Sequence, residues 1–317
     1  MKIFSRKAII HNLPEILDAL KIHYDRIGRR EDKQFTSIKP FGEAEAESLV
    51  FLDKPDLAKL EQFVKSPVKL ILLRKTWARD NVSALNRIKK SIYLVDNPRQ
   101  AVAKILDHIS TEEDMVSVGI HPTAIVHPEA EIDETAGIGP YCVIGRCRVG
   151  PHSRIFAHTV IHTGVNIGSR VIIREFCVIG GHGYGIVRDE NTGKLQRMPH
   201  IGGVIIEDDV ELHTYVHVDQ GTLSNTVIGH GTKIAHKVLI GHNVHIGCDC
   251  IITAGAVFCG KSSTGNRAWV GVGSIFKEGT KLGDDTVTGL GAVILKDVPA
   301  GMVVVGVPAK PIPRKDK

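Results

Sequence analysis

A six-residue recurrence of aliphatic side chains constrains this chain more than any other feature. The beat starts at Val126, Ile132, Ile138 and Ile144. After one short step it resumes at Val149, Ile155, Ile161, Ile167, Ile173 and Ile179, and it returns at Ile206, Leu212 and Val218. It then runs unbroken through Ile228, Ile234, Ile240, Ile246, Ile252, Phe258, Thr264, Val270, Phe276, Leu282, Thr288 and Ile294. An amphipathic helix needs a period of 3.6 and a half-buried strand a period of two. A period of six is that of a parallel β-helix, in which each recurring side chain points inward and stacks on its counterpart one coil later. Three hexapeptides close a triangular coil of about 18 residues, which gives room for roughly nine coils. Each coil buries its apolar face only against its neighbours. Glycine follows many of these positions at once, as in Gly139, Gly145, Gly168, Gly229, Gly241, Gly247, Gly265 and Gly283. The expected reason is a sharp corner whose backbone angles a Cβ would oppose.

Two interruptions break the beat. Residues 180–203, GGHGYGIVRDENTGKLQRMPHIGG, form an insertion between coils, and Asp219 to Asn225 shift the register just before the longest run. A loop leaving a solenoid commonly lies on its binding face, so function is expected near these irregular places.

Composition divides the chain. Of 32 glycines, Gly28, Gly42 and Gly119 alone precede residue 121, and all six cysteines follow it. We therefore expect a domain at 1–118, a β-helix at 119–312 and a tail at 313–317. No stretch has the length and apolarity of a membrane span, and the start MKIFSRKAIIHNL lacks a signal-peptide core and cleavage site. Cys142, Cys147, Cys177, Cys248, Cys250 and Cys259 show no zinc spacing, which suits reduced thiols in a cytosolic protein. A net charge of +5 without long basic runs gives nucleic-acid binding no support and is compatible with anionic small molecules.

The first domain mixes helix and strand patterns. A helix is expected from Leu13-Pro14 through EILDALKIHYDRI, another over Pro55 to Phe63 and a third from Pro98 to Ile109. Strands are expected at Ser48–Leu52, Val68–Leu73 and Ser91–Val95. This is a small α/β unit without a glycine-rich phosphate loop, and a nucleotide-binding role is plausible.

Thirteen of the sixteen histidines lie between residues 121 and 245. His230, His236 and His242 are spaced by six, so they fall on successive faces of one coil and form no ladder within a subunit. Most histidines of this kind decorate solvent-facing turns. His242, in Ile240-Gly241-His242-Asn243-Val244, just after the register shift, is the candidate general base. Acyl transfer to an amine needs the amine uncharged, and an imidazole can remove its proton near neutral pH. The tetrahedral intermediate needs a donor for its oxyanion, for which the backbone N–H of Gly260 or Gly255 is a candidate. No serine or cysteine sits in a nucleophile elbow, and an amine attacking a thioester needs no covalent enzyme intermediate.

The residues then show a resemblance. Gly119 to Ala124 (GIHPTA), the insertion with Gly183-Tyr184-Gly185, Gly203 to Ile206, Val218-Asp219-Gln220-Gly221 and Ile240 to Val244 are similar to the UDP-3-O-(3-hydroxyacyl)glucosamine N-acyltransferases of lipid A assembly. In the first domain, Phe51 to Pro55 and Leu94 to Pro98 resemble that family's nucleotide-binding domain. The resemblance implies a homotrimer of left-handed β-helices with active sites between subunits and a pantetheine-linked acyl donor along the groove. It implies His242 as general base, Asp219 as a motif residue near the site and Asn243 beside the base. This chain departs from the family pattern at several places. His182-Gly183-Tyr184-Gly185 replaces Asp-Gly-Phe-Gly, and Gln220 replaces the arginine of Asp-Arg-Gly. Glu278 stands where a second functional histidine falls, and Leu57 where an aromatic contact to uracil falls. The chain ends at Val305 to Pro311, like CoA-dependent sugar acetyltransferases.

The departures suggest changed substrates. The sequence reading is an enzyme that acylates the amino group of a nucleotide-linked amino sugar for surface glycans, with a short acyl-CoA as co-substrate and no tightly bound cofactor. Tyr184, His182, Asp219, Gln220, Asn243, Glu278 and His236 are its candidate substrate-binding residues. Gly260, Lys277 and Lys296 are candidates for the donor, with Lys261 and Lys281 as further cations for CoA phosphates. The alternative is the lipid A enzyme itself, fed by an acyl carrier protein. A zinc carbonic anhydrase would need histidines such as His158, His162 and His213 to converge from adjacent subunits. The remaining rival is a non-catalytic scaffold.

Overall fold

The computed structural model describes residues 9–29, 31–109 and 116–314. The first eight residues of the opening stretch, the 110–115 linker and 315–317 of the expected tail lie outside the described residues. Two units separate, Met1–Glu113 and Asp114–Lys317. The division falls ahead of the expected boundary at 118/119. Val116, ahead of the first strand Gly119–Ile120, is buried and lies close to Gly137 and Gly139 of the second coil.

In the first unit, a five-stranded sheet runs Asp25–Ile27, Ser91–Val95, Leu70–Arg74, Ser48–Leu52 and Ser37–Ile38. All neighbours are parallel except the first pair. Alternate strand residues face two different layers, as the pleat requires. Leu49, Leu70, Leu72 and Tyr93 meet the helices Leu13–Ala19 and Pro98–Ile109. Val50, Ile71, Leu73 and Ile92 meet Leu60 and Phe63 of helix Leu57–Lys65. The first helix is shorter than expected. It stops at Ala19, Lys21 turns with φ 53°, and Asp25–Ile27 pairs antiparallel with Ser91–Val95. Ser91–Val95 is wholly buried, and its unpaired edge would leave backbone polar groups unsatisfied, which outweighs a longer helix.

The second unit is the expected solenoid. Its two- to four-residue strands form three sheets of eight, nine and eleven strands among the described residues, one for each side of a triangular prism; pairing is parallel throughout except where the last strand, Lys310–Ile312, runs antiparallel to Val303–Val305. Successive coils pair in register, for example Ile161 with Ile179 and Ile252 with Val270. The inward positions from Ile138 to Ile294 form one continuous core. Phe258 and Phe276 stack at 4.2 Å inside it. Threonine occupies two inward slots because its hydroxyl finds partners there: Thr264 Oγ1 accepts from Gly247 N–H, and Thr288 Oγ1 from Gly271 N–H.

The glycine after each inward residue has a different cause from the one expected. A Cβ on Gly247 would lie 2.4 Å from the Gly265 carbonyl oxygen of the next coil. Close stacking of coils excludes the Cβ. The left-handed corner falls two residues later and accepts non-glycine residues from Tyr141 (φ 58°) to Asp285 (φ 56°). Among the described residues, no helix is long and apolar enough to cross a membrane.

Candidate active site

Both interruptions of the repeat leave the prism at the same corner. Residues 180–203 depart after strand Val178–Gly181, and the shift at 219–225 departs after His217–Asp219; both strands belong to the nine-stranded sheet. The next strand of that sheet is Leu239–Ile240, and two residues beyond Ile240 stands His242. The same corner one, two and three coils further carries Gly260, Glu278 and Lys296, following strands Val257–Phe258, Ile275–Phe276 and Val293–Ile294. Gln220 holds the corresponding place one coil before. The corner thus aligns Gln220, His242, Gly260, Glu278 and Lys296 along one edge, and the insertion meets that edge at Gln220 and His242.

His242 is half-buried. Its Nδ1 lies 3.1 Å from Asn243 Oδ1. The Asn243 amide is oriented by its other end, since Nδ2 donates to Ser224 O and Ser224 Oγ. Asn243 Oδ1 also accepts from Thr222 N–H at 3.0 Å. An oxygen facing Nδ1 requires the proton on Nδ1, which leaves the Nε2 lone pair free. Asn243 sits at the left-handed corner, φ 58°, a conformation asparagine tolerates better than most residues. Gly260 forms the floor: a Cβ there would lie 2.4 Å from His242 Nε2. Among the described residues, no hydrogen bond forms from the Gly260 N–H, whereas Gly255 N–H donates to His236 O at another corner.

The insertion is a hairpin of Ile186–Arg188 against Leu195–Arg197. Tyr184 at its base is 88% exposed. His200, where the chain returns to the prism, is buried, and its ring meets His242 nearly edge-on at 4.9 Å. Gln220, also buried, donates from Nε2 to His200 O at 2.6 Å and to His182 Nδ1 at 3.0 Å. Sequence reasoning missed His200 and Thr222, because both lie in segments without the six-residue beat, where no period marks which side chains face inward.

Other sequence candidates are placed elsewhere. Asp219 accepts from His217 Nε2 at 2.8 Å. His162 lies near His182 and His217, and burial with those neighbouring imidazoles pushes its pKa down. Glu278 is exposed and pairs with Lys261 at 3.1 Å, and Lys277 and Lys296 are exposed. Lys281 belongs to the eight-stranded sheet and does not join this corner. His236 occupies the corner after the eleven-stranded sheet, bonded to Thr214 Oγ1 at 2.8 Å and edge-on to His213. His158 stacks between Tyr141 and Phe176. Within the described residues of one chain, no three His, Cys, Asp or Glu side chains are placed to hold a metal. In the first unit Leu57 is exposed at the start of its helix.

No family model matches the chain. It is 32% identical over 236 residues to the UDP-3-O-acylglucosamine N-acyltransferase of Pseudomonas syringae pv. tomato, covering 68% of this chain and 64% of that protein. It is 34% identical over 188 residues to the protein of the same name from Coxiella burnetii (strain RSA 493 / Nine Mile phase I), covering 53% of this chain and 54% of the other. The matches therefore span less than two thirds of these curated relatives' length. Among solved structures, a UDP-N-acetylglucosamine acyltransferase from Bacteroides fragilis 9343 superposes with a TM-score of 0.54 at 24% identity, covering 61% of this chain and 74% of that one. Another UDP-N-acetylglucosamine acyltransferase gives a TM-score of 0.54 at 23% identity, with 61% and 73% covered. The chain is a homologue of the named N-acyltransferases, and its second unit has the left-handed parallel β-helix fold of hexapeptide-repeat acyltransferases.

Proposed function

We propose that this protein is an N-acyltransferase that moves a hydroxyacyl group from a carrier-protein thioester to the free amino group of a UDP-linked 3-O-acylglucosamine. The observation that carries the reading is His242. Its Nδ1 is tied to Asn243 and its free Nε2 lies over Gly260, at the one corner where both interruptions leave the coil. The names of the homologues favour this acceptor over the short-chain, CoA-dependent reaction suggested by the sequence departures.

In this reaction the amine lone pair attacks the thioester carbonyl carbon, and His242 Nε2 takes the proton that the nitrogen releases. Negative charge collects on the former carbonyl oxygen, and the N–H of Gly260, which makes no hydrogen bond among the described residues, is the donor this reading assigns to it. Collapse of the intermediate breaks the C–S bond. The imidazolium returns its proton to the departing thiolate, leaving amide and free thiol. No covalent enzyme intermediate is required.

The active form in this proposal is a homotrimer. Supporting it is an apolar stripe on the outward side of the nine-stranded sheet, through Ile125, Val143, Leu239 and Ile275, each well exposed in the isolated chain. The corresponding positions of the eight-stranded sheet are mostly polar, among them Glu131, Arg148, His245 and Lys281, with Ile205 and Val227 as the aliphatic exceptions. Nucleotide binding by the first unit belongs to the same proposal. There, a cavity of ≈ 200 Å³ beside the end of strand Ser91–Val95 is lined by Lys21, His23, Asn97 and Lys104.

The test is an assay of purified protein with UDP-3-O-acylglucosamine, offering hydroxyacyl carrier protein and short acyl-CoA as competing donors. The expected result is N-acylation with preference for the carrier-protein thioester, and a fall of about 10²–10⁴-fold in kcat for His242→Ala. Full activity in a correctly folded His242→Ala protein overturns the general-base assignment. Exclusive use of acyl-CoA on another amino sugar restores the rival reading.

A further inference from the structure

We propose that His200, locked by Gln220, is a positioning residue that fixes the plane of the His242 imidazole. The inference rests on His242 being the general base. A histidine at a solenoid corner projects outward with two rotatable bonds, and its polar tethers, Asn243 Oδ1 at 3.1 Å and the longer contact to Thr222 Oγ1 at 3.4 Å, both act at Nδ1 and leave the far side of the ring to packing. Gly260 closes one side of the ring without a side chain. The remaining wall is the His200 ring, 4.9 Å away and 76° inclined.

Several features show that this wall is built rather than incidental. Within the insertion 180–203, His200 is the one buried residue with a side chain among the described residues, the rest being exposed, half-buried or glycine. Its Nδ1–H donates to Met198 O at 3.1 Å, which sets the ring's rotation. Gly183 and Gly185 pass so close that a Cβ on either would lie within 2.8 Å of the His200 ring. Gln220 then pins the backbone at His200 O and, with its second N–H, holds His182. The insertion is thereby fastened to the prism beside His242 by a carboxamide and an imidazole.

His200 Nε2 has no hydrogen-bond partner and is buried. The ring therefore serves through its shape and placement and not through a bond at Nε2. This sets the expected pattern of variants. His200→Ala and Gln220→Leu each lower kcat about tenfold, because a displaced base loses alignment with the amine. KM for both substrates stays within about twofold, since neither side chain needs to touch them. His200→Phe preserves the wall without the nitrogens and returns kcat to within about threefold of the parent protein. In the substrate-free protein, nitrogen-15 resonances of His242 report a single Nδ1–H tautomer in the parent and in His200→Phe, and a mixture in His200→Ala.

Unchanged kcat in His200→Ala and Gln220→Leu overturns the proposal. So does a His200→Phe protein as slow as His200→Ala while the His242 resonances stay unaltered. His242→Ala, run alongside, separates this failure from failure of the functional reading. If His242→Ala turns over normally, the general base is wrong and the positioning role falls with it. If His242→Ala is inactive and His200→Ala is fully active, only the positioning role is lost.

Discussion

At the scale of single residues, His242 owes its chemical identity to Asn243. The two are adjacent in sequence, and the left-handed turn at Asn243 folds its carboxamide back onto the imidazole. Asn243→Ala removes the acceptor at Nδ1 and places alanine at positive φ. We expect kcat to fall about tenfold, a fraction of the 10²–10⁴-fold contribution of the base itself. Steady-state kinetics, with circular dichroism to confirm the fold, measure it. A second residue-scale expectation concerns acid stability. His162 is half-buried, and its pKa is lowered by burial, then by His182 and His217; His213 is lowered mainly by burial. The unfolded chain binds these protons more readily than the folded one. Stability is therefore fully present above the ordinary histidine range and declines as pH falls through the lowered folded values. Urea unfolding from pH 7.5 to 5 should show this decline, and His162→Gln should flatten it. His242 and Asn243 were legible because their motif lies inside the regular beat. Gln220 and His182 were legible as departures, but their mutual hydrogen bond was not, since they lie on different coils.

At the scale of the coil, stacking distance decides which positions tolerate a side chain. Gly247→Ala places a Cβ 2.4 Å from the Gly265 carbonyl, whereas a Cβ at Gly255, although at φ 69°, meets nothing within 4 Å. Gly247→Ala should cost about 1–3 kcal/mol, the range for overpacking. Gly255→Ala should cost less, since alanine bears only the left-handed backbone penalty there. Thermal unfolding of the two variants compares them directly; equal losses would mean that backbone angle and not coil spacing dominates. The six-residue period revealed that glycine recurs, while the reason needed the neighbouring coil's backbone.

At the scale of the whole molecule, the outward stripe of the nine-stranded sheet is continuous with the His242 corner, because strand Leu239–Ile240 leads directly into it. Burying that stripe against a second copy places the partner beside the corner. Leu239→Asp with Ile275→Asp should convert the proposed homotrimer to monomer in light scattering. It should also cut turnover at least about tenfold, with the repeat core intact. A fully active monomer would remove the partner subunit from the site. Sequence alone determined the solenoid: a six-residue beat of inward side chains has one three-sided solution, and a motif within that beat singled out His242. The α/β nature of the first unit was also legible, although its first helix was drawn too long because the demand of a bare strand edge is not written locally. Tertiary structure alone decided what surrounds the imidazole. Non-periodic segments carry no rule for which side chain returns to the core. Only the folded chain brings His200 and Gln220 against a base many residues further along.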